Sequence, residues 1–265
     1  MTGAGTAEVA LAREASYAGS LVDTPTWWSP GSNLTVTGPT FNREQRADRS
    51  PGDPRPQSHR PGNASGQLTL EFTLAGTEHY WEDAVFHSGG ADPTAGTSLP
   101  PQGGRAPSWH VYISSTLLDG TDVPRVAVGA AVTDCTITWQ QGEDVTVELT
   151  IEYADEPDNP TTPAAGDIVT PSPEDAYNFD GASINVGSTY QSELSTATLS
   201  LSNLARLRRG QSQIATNAVV GAIEPSFSTD ATFTETAQLE RALSGRSSAQ
   251  LVDSTTASLE FENAA

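Results

Sequence analysis

Alternation of apolar and polar residues is the main pattern along this chain. The clearest case is residues 67–75, where large apolar side chains alternate with polar ones: Leu68, Leu70, Phe72 and Leu74. Residues 144–153 repeat the pattern. A period of two places successive side chains on opposite faces of an extended chain. Both segments are therefore predicted to form β-strands with one buried face and one polar face.

Weaker versions of this pattern predict most of the remaining structure. Further strands are predicted at 34–37, 109–114, 125–128, 133–140, 195–201, 223–233 and 258–262. The polar connection QQGE at 140–143 predicts a hairpin. Two short helices are predicted at 78–86 and 237–243, because Thr77 and Thr236 are suitable N-caps. The predicted fold class is mainly β, with one or two short flanking helices.

Three stretches rich in proline and glycine predict loops within a single domain that spans 1–265. These loops are 42–66, 88–107 and 154–173. The first is long for a compact domain and carries several arginines, so we expect it to reach a neighbouring molecule. The third is acidic, and we expect an extended, mobile insertion there.

Charge is the strongest compositional feature. The chain has 13 basic and 33 acidic residues, a net charge of −20, and every basic residue is arginine. Acidity with loss of lysine is typical of proteins from salt-saturated cells, where screening over roughly 3 Å at 1 M salt makes self-repulsion tolerable. A gene that favours arginine codons is the alternative explanation. Either way, the charge argues against adhesion to DNA phosphates or to anionic membranes.

The sequence shows no arrangement of residues typical of an enzyme or a cofactor site. Cys135 lies on the apolar face of a predicted strand and is expected to be a core residue. A phosphate loop with Gly-Lys-Ser/Thr is impossible without lysine. His79, Asp83 and His87 have the spacing of one helical face, but we favour an exposed polar stripe over a metal site. We therefore predict a non-enzymatic protein without a cofactor.

Targeting signals are not evident in the sequence. Residues 1–5 lack the charged and apolar regions of a signal peptide. No apolar run approaches the ~18 residues of a membrane span. We expect synthesis in a host cytoplasm and no membrane partner.

Several segments occur in an order that is informative as a set. They are AEVALAREASY at 7–17, TPTWWSP at 24–30, NREQRADR at 42–49 and GQLTLEF at 66–72. In this order they resemble the tail tube proteins of long, non-contractile viral tails. The segments at 132–139, 201–204 and 224–227 follow the same layout, whereas 154–173 falls outside it.

This resemblance implies a virion protein of a siphovirus-like tail. The acidic, lysine-free composition indicates that the virus infects a halophilic archaeon. The implied fold is a β-sandwich or partial barrel whose long strands join into a ring-shaped inner barrel. Hexameric rings would stack into the tube that delivers viral DNA. Implied partners are further copies, the terminator, tape measure and distal tail proteins, and DNA in transit without specific binding. A secreted or surface-attached halophilic binding module, or the inner tube of a contractile device, remain alternatives.

Two sets of residues are expected to act in such a tube. Polar faces of the long strands would line the channel with carboxylates, namely Glu71, Asp144, Glu148, Glu152 and Asp230. A wall without cations offers DNA phosphates no gain from counterion release. Arginines of the 42–66 loop and of a second basic loop would contact other subunits, namely Arg43, Arg46, Arg49, Arg55, Arg60, Arg206, Arg208 and Arg209.

Overall fold

A computed structural model describes most of the chain: residues 8–22, 25–48, 58–75, 80–86, 102–116, 122–164, 166–172, 176–177, 182–186, 189–190, 194–231 and 257–261. One short helix, α1 (Tyr80–Val85), lies within these residues. The strands there are β1 (Glu8–Arg13), β2 (Trp27–Trp28), β3 (Ser32–Asp48), β4 (Ser58–Thr73), β5 (Trp109–Thr116), β6 (Asp122–Gln140), β7 (Thr146–Tyr153), β8 (Ile168–Val169), β9 (Ala182–Val186), β10 (Thr189–Tyr190), β11 (Leu194–Ser202), β12 (Ala205–Arg208), β13 (Asn217–Val220), β14 (Glu224–Ala231) and β15 (Ala257–Phe261).

One long strand, β6, belongs to two sheets. Its second half lies in an antiparallel sheet with the order β3-β4-β7-β6-β11-β14, which we call the front sheet. Its first half pairs with β5, and the sheet continues through β1 and β2 to β8. We call this second group of strands the back sheet. Smaller sheets are formed by β12 with β13 and by β10, β9 and β15.

The change of sheet within β6 occurs at Gly129. This residue has a φ of +63°, which favours glycine. A Cβ atom there would lie 2.9 Å from the Cβ atoms of both Ala18 and Ala154, so a side chain does not fit. The Gly129 N–H donates a hydrogen bond of 2.6 Å to Glu14 Oε1. The bend is therefore fixed by a missing side chain and by a buried carboxyl group.

The core lies where the apolar sides of the two sheets meet. The front sheet contributes alternate residues of β4, β7, β6 and β11, all of them buried: Leu68, Leu70, Phe72, Val147, Leu149, Ile151, Cys135, Ile137, Trp139, Ala197 and Leu201. In the back sheet, Trp109 packs edge-on against Trp28 with ring centroids 5.6 Å apart. Helix α1 adds Trp81, which packs on Phe72. Each large side chain buried in this way stabilises the fold by roughly 1.5–3 kcal/mol.

The predicted fold class is confirmed: the protein is mainly β and sandwich-like, and the described strands do not close into a barrel. The strands predicted at 67–75, 133–140 and 144–153 lie in β4, β6 and β7. The QQGE connection is the β6–β7 hairpin, where the Glu143 N–H donates to the Gln140 carbonyl at 3.0 Å. The helix predicted at 78–86 is confirmed as α1, whereas the one predicted at 237–243 lies outside the described residues.

The prediction of a loop at 42–66 is wrong for its described parts. Strands β3 and β4 pair out to Asp48 and Ser58 and form one long hairpin. Beyond Gly66 no other described strand pairs with this hairpin, so we call residues 42–48 and 58–65 the arm. A ribbon without a neighbouring layer has no face that must be apolar, and the alternation that predicts strands is therefore lost. The basic loop predicted after residue 204 is also a hairpin, formed by β12 and β13.

Two other predicted loops are described in part. Residues 102–107 contain no strand, which agrees with the loop predicted at 88–107. The segment 154–173 begins as a buried continuation of β7, since Ala154 is buried and Asp155 bridges to Val128. Later it contributes β8 to the edge of the back sheet. The acidic segment is therefore attached to the sheets at two points, and its mobility remains a prediction.

The carboxyl group of Glu14 links three parts of this framework. Besides Gly129, it accepts a hydrogen bond of 2.7 Å from the Ala18 N–H, and His110 Nε2 lies 3.4 Å from Oε1. Burial raises the pKa of Glu14 to about 7 from an ordinary 4.5, against the opposing effects of its hydrogen bonds and of Arg105. Burial also lowers the pKa of His110. The folded protein therefore favours the neutral form of both groups.

We expect the titration of Glu14 to make stability depend on pH. Between pH 4.5 and pH 7 the folded protein keeps a proton that the unfolded chain loses, so the free energy of unfolding falls as the pH rises. Relative to Glu14→Gln, which cannot titrate, the wild type should lose about 3 kcal/mol between pH 4.5 and pH 8. Denaturant unfolding across this range measures the difference. A difference that stays constant with pH would contradict the assignment.

Candidate functional site

The outer face of the front sheet carries an unbroken row of polar side chains. Strand register aligns one residue from each of the six strands, in the order Thr35, Glu71, Glu148, Thr136, Ser200 and Ser226. A parallel row contains Thr73, Thr146, Thr138, Thr198 and Ser228. These two rows hold hydroxyl and carboxyl groups and no cation. We call this surface the polar face.

Three of the five predicted channel residues lie together on the polar face. Glu71 and Glu148 are direct cross-strand partners, and Glu152 lies four residues further along β7 on the same face. All three are exposed. Like charges placed opposite each other destabilise a sheet modestly. The polar face therefore carries a concentration of negative charge that does not stabilise the sheet.

The other two predicted channel residues lie apart from this group. Asp230 is in the edge strand β14, where its Oδ2 accepts a hydrogen bond of 2.9 Å from Thr196 Oγ1. Asp144 is exposed in the turn that precedes β7, at the end of the sheet furthest from the arm. Its neighbour Glu143 is exposed in the same turn.

Both edges of the front sheet are open among the described residues. Strand β3 pairs only with β4, and β14 pairs only with β11. Open edges offer unpaired N–H and C=O groups to another strand. Each edge strand also contains a proline, Pro39 in β3 and Pro225 in β14, and proline is tolerated in strands mainly at edges. Both edges of the front sheet are therefore open, and each proline removes one N–H donor from its edge.

The root of the arm is organised around Tyr153, the last residue of β7. A Cβ on Gly66 would lie 2.0 Å from Cζ of Tyr153, so the ring lies directly over the glycine. Phe41 stacks on the Tyr153 ring, with the two ring centroids 6.0 Å apart. The Tyr153 hydroxyl lies 3.0 Å from the Thr40 carbonyl oxygen and 2.6 Å from Glu156 Oε1. Sequence analysis missed this contact, although glycine inside a strand pattern can signal a close approach.

Ion pairs surround the same root. Arg43 Nη2 lies 3.1 Å from Asp155 Oδ1, and its guanidinium also lies over the Phe41 ring. Arg125 Nη2 lies 2.7 Å from Glu156 Oε1, and this pairing raises the pKa of Arg125. Exposed pairs contribute little individually, typically 0–1 kcal/mol, but here they share partners with Tyr153. The arm is therefore held at a defined direction to the front sheet.

The two predicted groups of arginines meet at this root. Arg209 Nη2 donates to the Ala64 carbonyl at 3.3 Å, and the Ala64 N–H donates to the Gln213 carbonyl at 2.9 Å. The β12–β13 hairpin thus braces the arm. Arg206 and Arg208 are exposed. Arg46 and Arg60 lie in the arm strands, and Arg49 and Arg55 lie outside the described residues.

Asp83 overturns the expectation of an exposed polar stripe on the helix. Its side chain is fully buried, and its Oδ2 lies 2.9 Å from Arg13 Nη1. This ion pair joins α1 to β1. Breaking it would leave an uncompensated buried charge, which is strongly destabilising. His79 and His87 lie outside the described residues. No cluster of three His, Cys, Asp or Glu able to hold a metal occurs in the described part of the chain.

Cys135 is a core residue, as expected. It is buried among apolar side chains, and burial raises the pKa of its thiol to about 12. A thiol with such a pKa stays protonated and unreactive near neutral pH. In the parts of the chain that the structure describes, no helix is long and apolar enough to cross a membrane.

The fold and these surfaces define a mainly β, sandwich-like protein whose front sheet has open edges among the described residues and carries a projecting arm. A family model described as phage tail tube protein matches residues 5–265. The chain belongs to this family, which is structural and not enzymatic, and it is a component of the virion tail that assembles with itself and with other tail components. The match includes the acidic segment 154–173. Comparison with curated proteins gives no match.

We expect the Tyr153 hydroxyl to stabilise the arm root. Tyr153→Phe removes the hydroxyl that lies within hydrogen-bond distance of both the Thr40 carbonyl oxygen and Glu156, so the free energy of unfolding should fall by about 1–2 kcal/mol. Amide exchange near Thr40 should also accelerate, because the arm loses its anchor. Tyr112→Phe is the matched control at a half-buried tyrosine of β5. Equal effects of the two variants in denaturant unfolding would contradict this role.

Proposed function

We propose that six copies of this tail tube protein form a ring by joining their front sheets edge to edge. The observation that carries the proposal is the open front sheet, whose polar rows run without interruption from β3 to β14. Pairing β14 of one copy with β3 of the next satisfies both edges and continues the rows around the ring. A closed sheet has no exposed edge, which removes the risk of uncontrolled pairing.

The size of such a ring follows from strand spacing. If all six strands of each copy took part, neighbouring strands about 4.8 Å apart would give a circumference of roughly 170 Å and a backbone diameter of roughly 55 Å. Strand tilt would widen the ring further. A channel of this width leaves room for side chains and for a DNA duplex. This diameter assumes that all six strands of each front sheet lie in the wall, which is the largest number that the front sheet can supply.

The polar face is the surface we assign to the channel. The apolar face of the front sheet is buried against the back sheet, so the polar face is the only side of this sheet free to line a lumen. Glu71, Glu148 and Glu152 would lie within the wall, Asp230 at the junction between copies and Asp144 at one rim. Binding to DNA is favoured when Lys or Arg neutralises phosphates and counterions are released from the DNA. The two central rows of this wall hold neither residue, and Arg206 lies further along, in a groove with Glu152. DNA would therefore pass without adhering.

The arm is the element we assign to contacts between stacked rings. It projects beyond the last strand pair of the front sheet, and its root is held by Tyr153 and by the β12–β13 hairpin. Arg43 already pairs with Asp155 of its own chain, so Arg46, Arg49, Arg55 and Arg60 are the stronger candidates for contacts with another subunit. At the tube ends, the same surfaces would meet the terminator, tape measure and distal tail proteins.

We assign the tube to a long, non-contractile tail on the resemblance of residues 7–72, and the virus to a halophilic host on its charge. A net charge of −20 with arginine as the sole basic residue favours high salt. Family membership favours this function over a secreted binding module. The polar face would let DNA pass through the channel without adhering, which is what genome delivery requires.

Purified full-length protein should assemble at molar salt. We expect sixfold rings or tubes in negative-stain images and rapid sedimentation. Dialysis to millimolar salt should dissociate them, because screening no longer offsets repulsion between acidic subunits. Monomer alone at high concentration in molar salt would refute the assembly. Tubes that persist unchanged at millimolar salt would refute only the halophilic origin.

An arm deletion separates ring formation from stacking. Replacing residues 46–60 by a short turn keeps Phe41, Arg43 and Gly66, so the root should fold normally. We expect this variant to form rings that do not elongate. Tubes of normal length from the deleted chain would show that the arm is not the connector.

Charge reversal in the channel should slow the passage of DNA. Glu148→Arg with Glu152→Arg places cations on the polar face, where phosphates can bind them. We expect virions with intact tails and a slower release of DNA. Asp158→Arg with Asp167→Arg is the control, since it makes the same charge change on the exposed acidic segment. Equal release rates for both double variants would exclude the polar face from the channel.

A further inference from the structure

Three exposed arginines share one face of a small sheet beside the arm root. Residues 103–106 hydrogen-bond to β13, with the Gly103 N–H 3.0 Å from the Val220 carbonyl oxygen and the Ala106 N–H 3.0 Å from the Ala218 carbonyl oxygen. Val219 pairs with Arg105 on one side and with Arg206 on the other. Directly paired residues of an antiparallel sheet share a face, so the side chains of Arg105, Val219 and Arg206 lie on the same face. Arg208 follows on the same face. We call Arg105, Arg206 and Arg208 the arginine patch.

The three side chains of the arginine patch are exposed. On the opposite side of the small sheet, Ala106, Ala205, Ala218 and Val220 pack on Ala131 of β6. Val219 lies between the arginines and is only 7% exposed, as expected where guanidinium side chains extend over an apolar residue. Among the described residues, neither Arg206 nor Arg208 has an ion pair within 4 Å. Two guanidinium groups are thus available to a partner.

Charge is distributed unequally between the two ends of the front sheet. The arm end carries the arginine patch and also Arg43, Arg125 and Arg209. The opposite end is formed by the β6–β7 turn, where Glu143 and Asp144 are exposed. No arginine lies at this turn among the described residues. Arg43 and Arg125 are already paired with Asp155 and Glu156, so among the described residues it is the arginine patch that complements the acidic Glu143 and Asp144 of the turn end.

We propose that the arginine patch binds the carboxylates of Glu143 and Asp144 of a second copy in the next ring. The proposal rests on the stacked rings proposed above and specifies their polarity: the arm end of one ring meets the turn end of the next. The contact is heterologous, so every ring presents the same two ends and the tube can continue. Guanidinium groups suit this role because they pair with carboxylates in a fixed geometry.

The two sites cannot meet within one chain. β7 separates them, and its eight residues span about 27 Å at 3.4 Å per residue. Arg206 also borders a groove with Glu152 and Asp134 of its own chain, so the test reverses the distant carboxylates and leaves these two unchanged. Complementary charge at this interface would guide orientation as well as add affinity.

Charge exchange at fixed molar salt tests the contact in the full chain. Arg206→Glu with Arg208→Glu, and separately Glu143→Arg with Asp144→Arg, should each reduce tube mass at least about tenfold while rings persist. All four substitutions together restore the charge pairs with the signs exchanged, so tube mass should recover to within about threefold of wild type. Asp158→Arg with Asp167→Arg makes the same change in net charge as Glu143→Arg with Asp144→Arg and is the control for that variant. Normal tubes from both double variants, or rings of the fourfold variant that do not elongate, would overturn the proposal.

Cross-linking provides a second measurement that does not depend on disrupting the contact. Arg208→Cys with Asp144→Cys in one chain should yield a ladder of disulfide-linked oligomers on oxidation of assembled tubes. Each single variant should yield no ladder, and Cys135 is buried. Tubes that form without a ladder would refute the pairing alone. A wild type that forms no tubes would instead refute the proposed function.

Discussion

The bend of β6 at Gly129 is the constraint on which the rest of the structure depends. A single strand supplies paired edges to both sheets, so its bend sets how the sheets face each other and where the core lies. The bend requires a positive φ, the absence of a Cβ and a hydrogen bond from Gly129 to the buried Glu14. The carboxyl group occupies a site where burial raises its pKa to about 7, so the bend has an energetic cost that the core must offset.

Once the two sheets are stacked, the front sheet can have only one free face. Alternation then assigns every Thr, Ser and Glu of the polar rows to that face, and no further interaction is needed to place them. The same geometry leaves β3 and β14 without partners on their outer sides. The arm arises because β3 and β4 continue past Gly66, where Tyr153 closes the end of β7. The polar face, the open edges and the arm are thus consequences of one packing arrangement of the two sheets.

The sequence predicts those parts of the fold that alternate because they are half-buried. Leu68, Leu70 and Phe72 are obligatory core residues, and their spacing alone identifies β4 and its polar face, including Glu71. Alternation does not predict the arm, because neither face of a two-stranded ribbon must be apolar. The burial of Asp83 is not predicted for another reason. Its ion pair with Arg13 joins residues 70 positions apart, and no local sequence pattern indicates such a contact. Tyr153 and Gly66 are likewise brought together only by the register of β4 on β7.

In the proposed ring, the open sheet edges must not pair wrongly, and the chain carries features that limit this risk. Pro39 and Pro225 each remove one donor from an edge, which restricts the registers that can form. The register of the edge strand itself is fixed within the chain, because a one-residue slip of β14 on β11 would turn Phe227 away from the core. Repulsion between acidic chains slows encounters until salt screens it. In the stacked rings proposed above, pairing of the arginine patch with the acidic turn would then give a single preferred direction of growth.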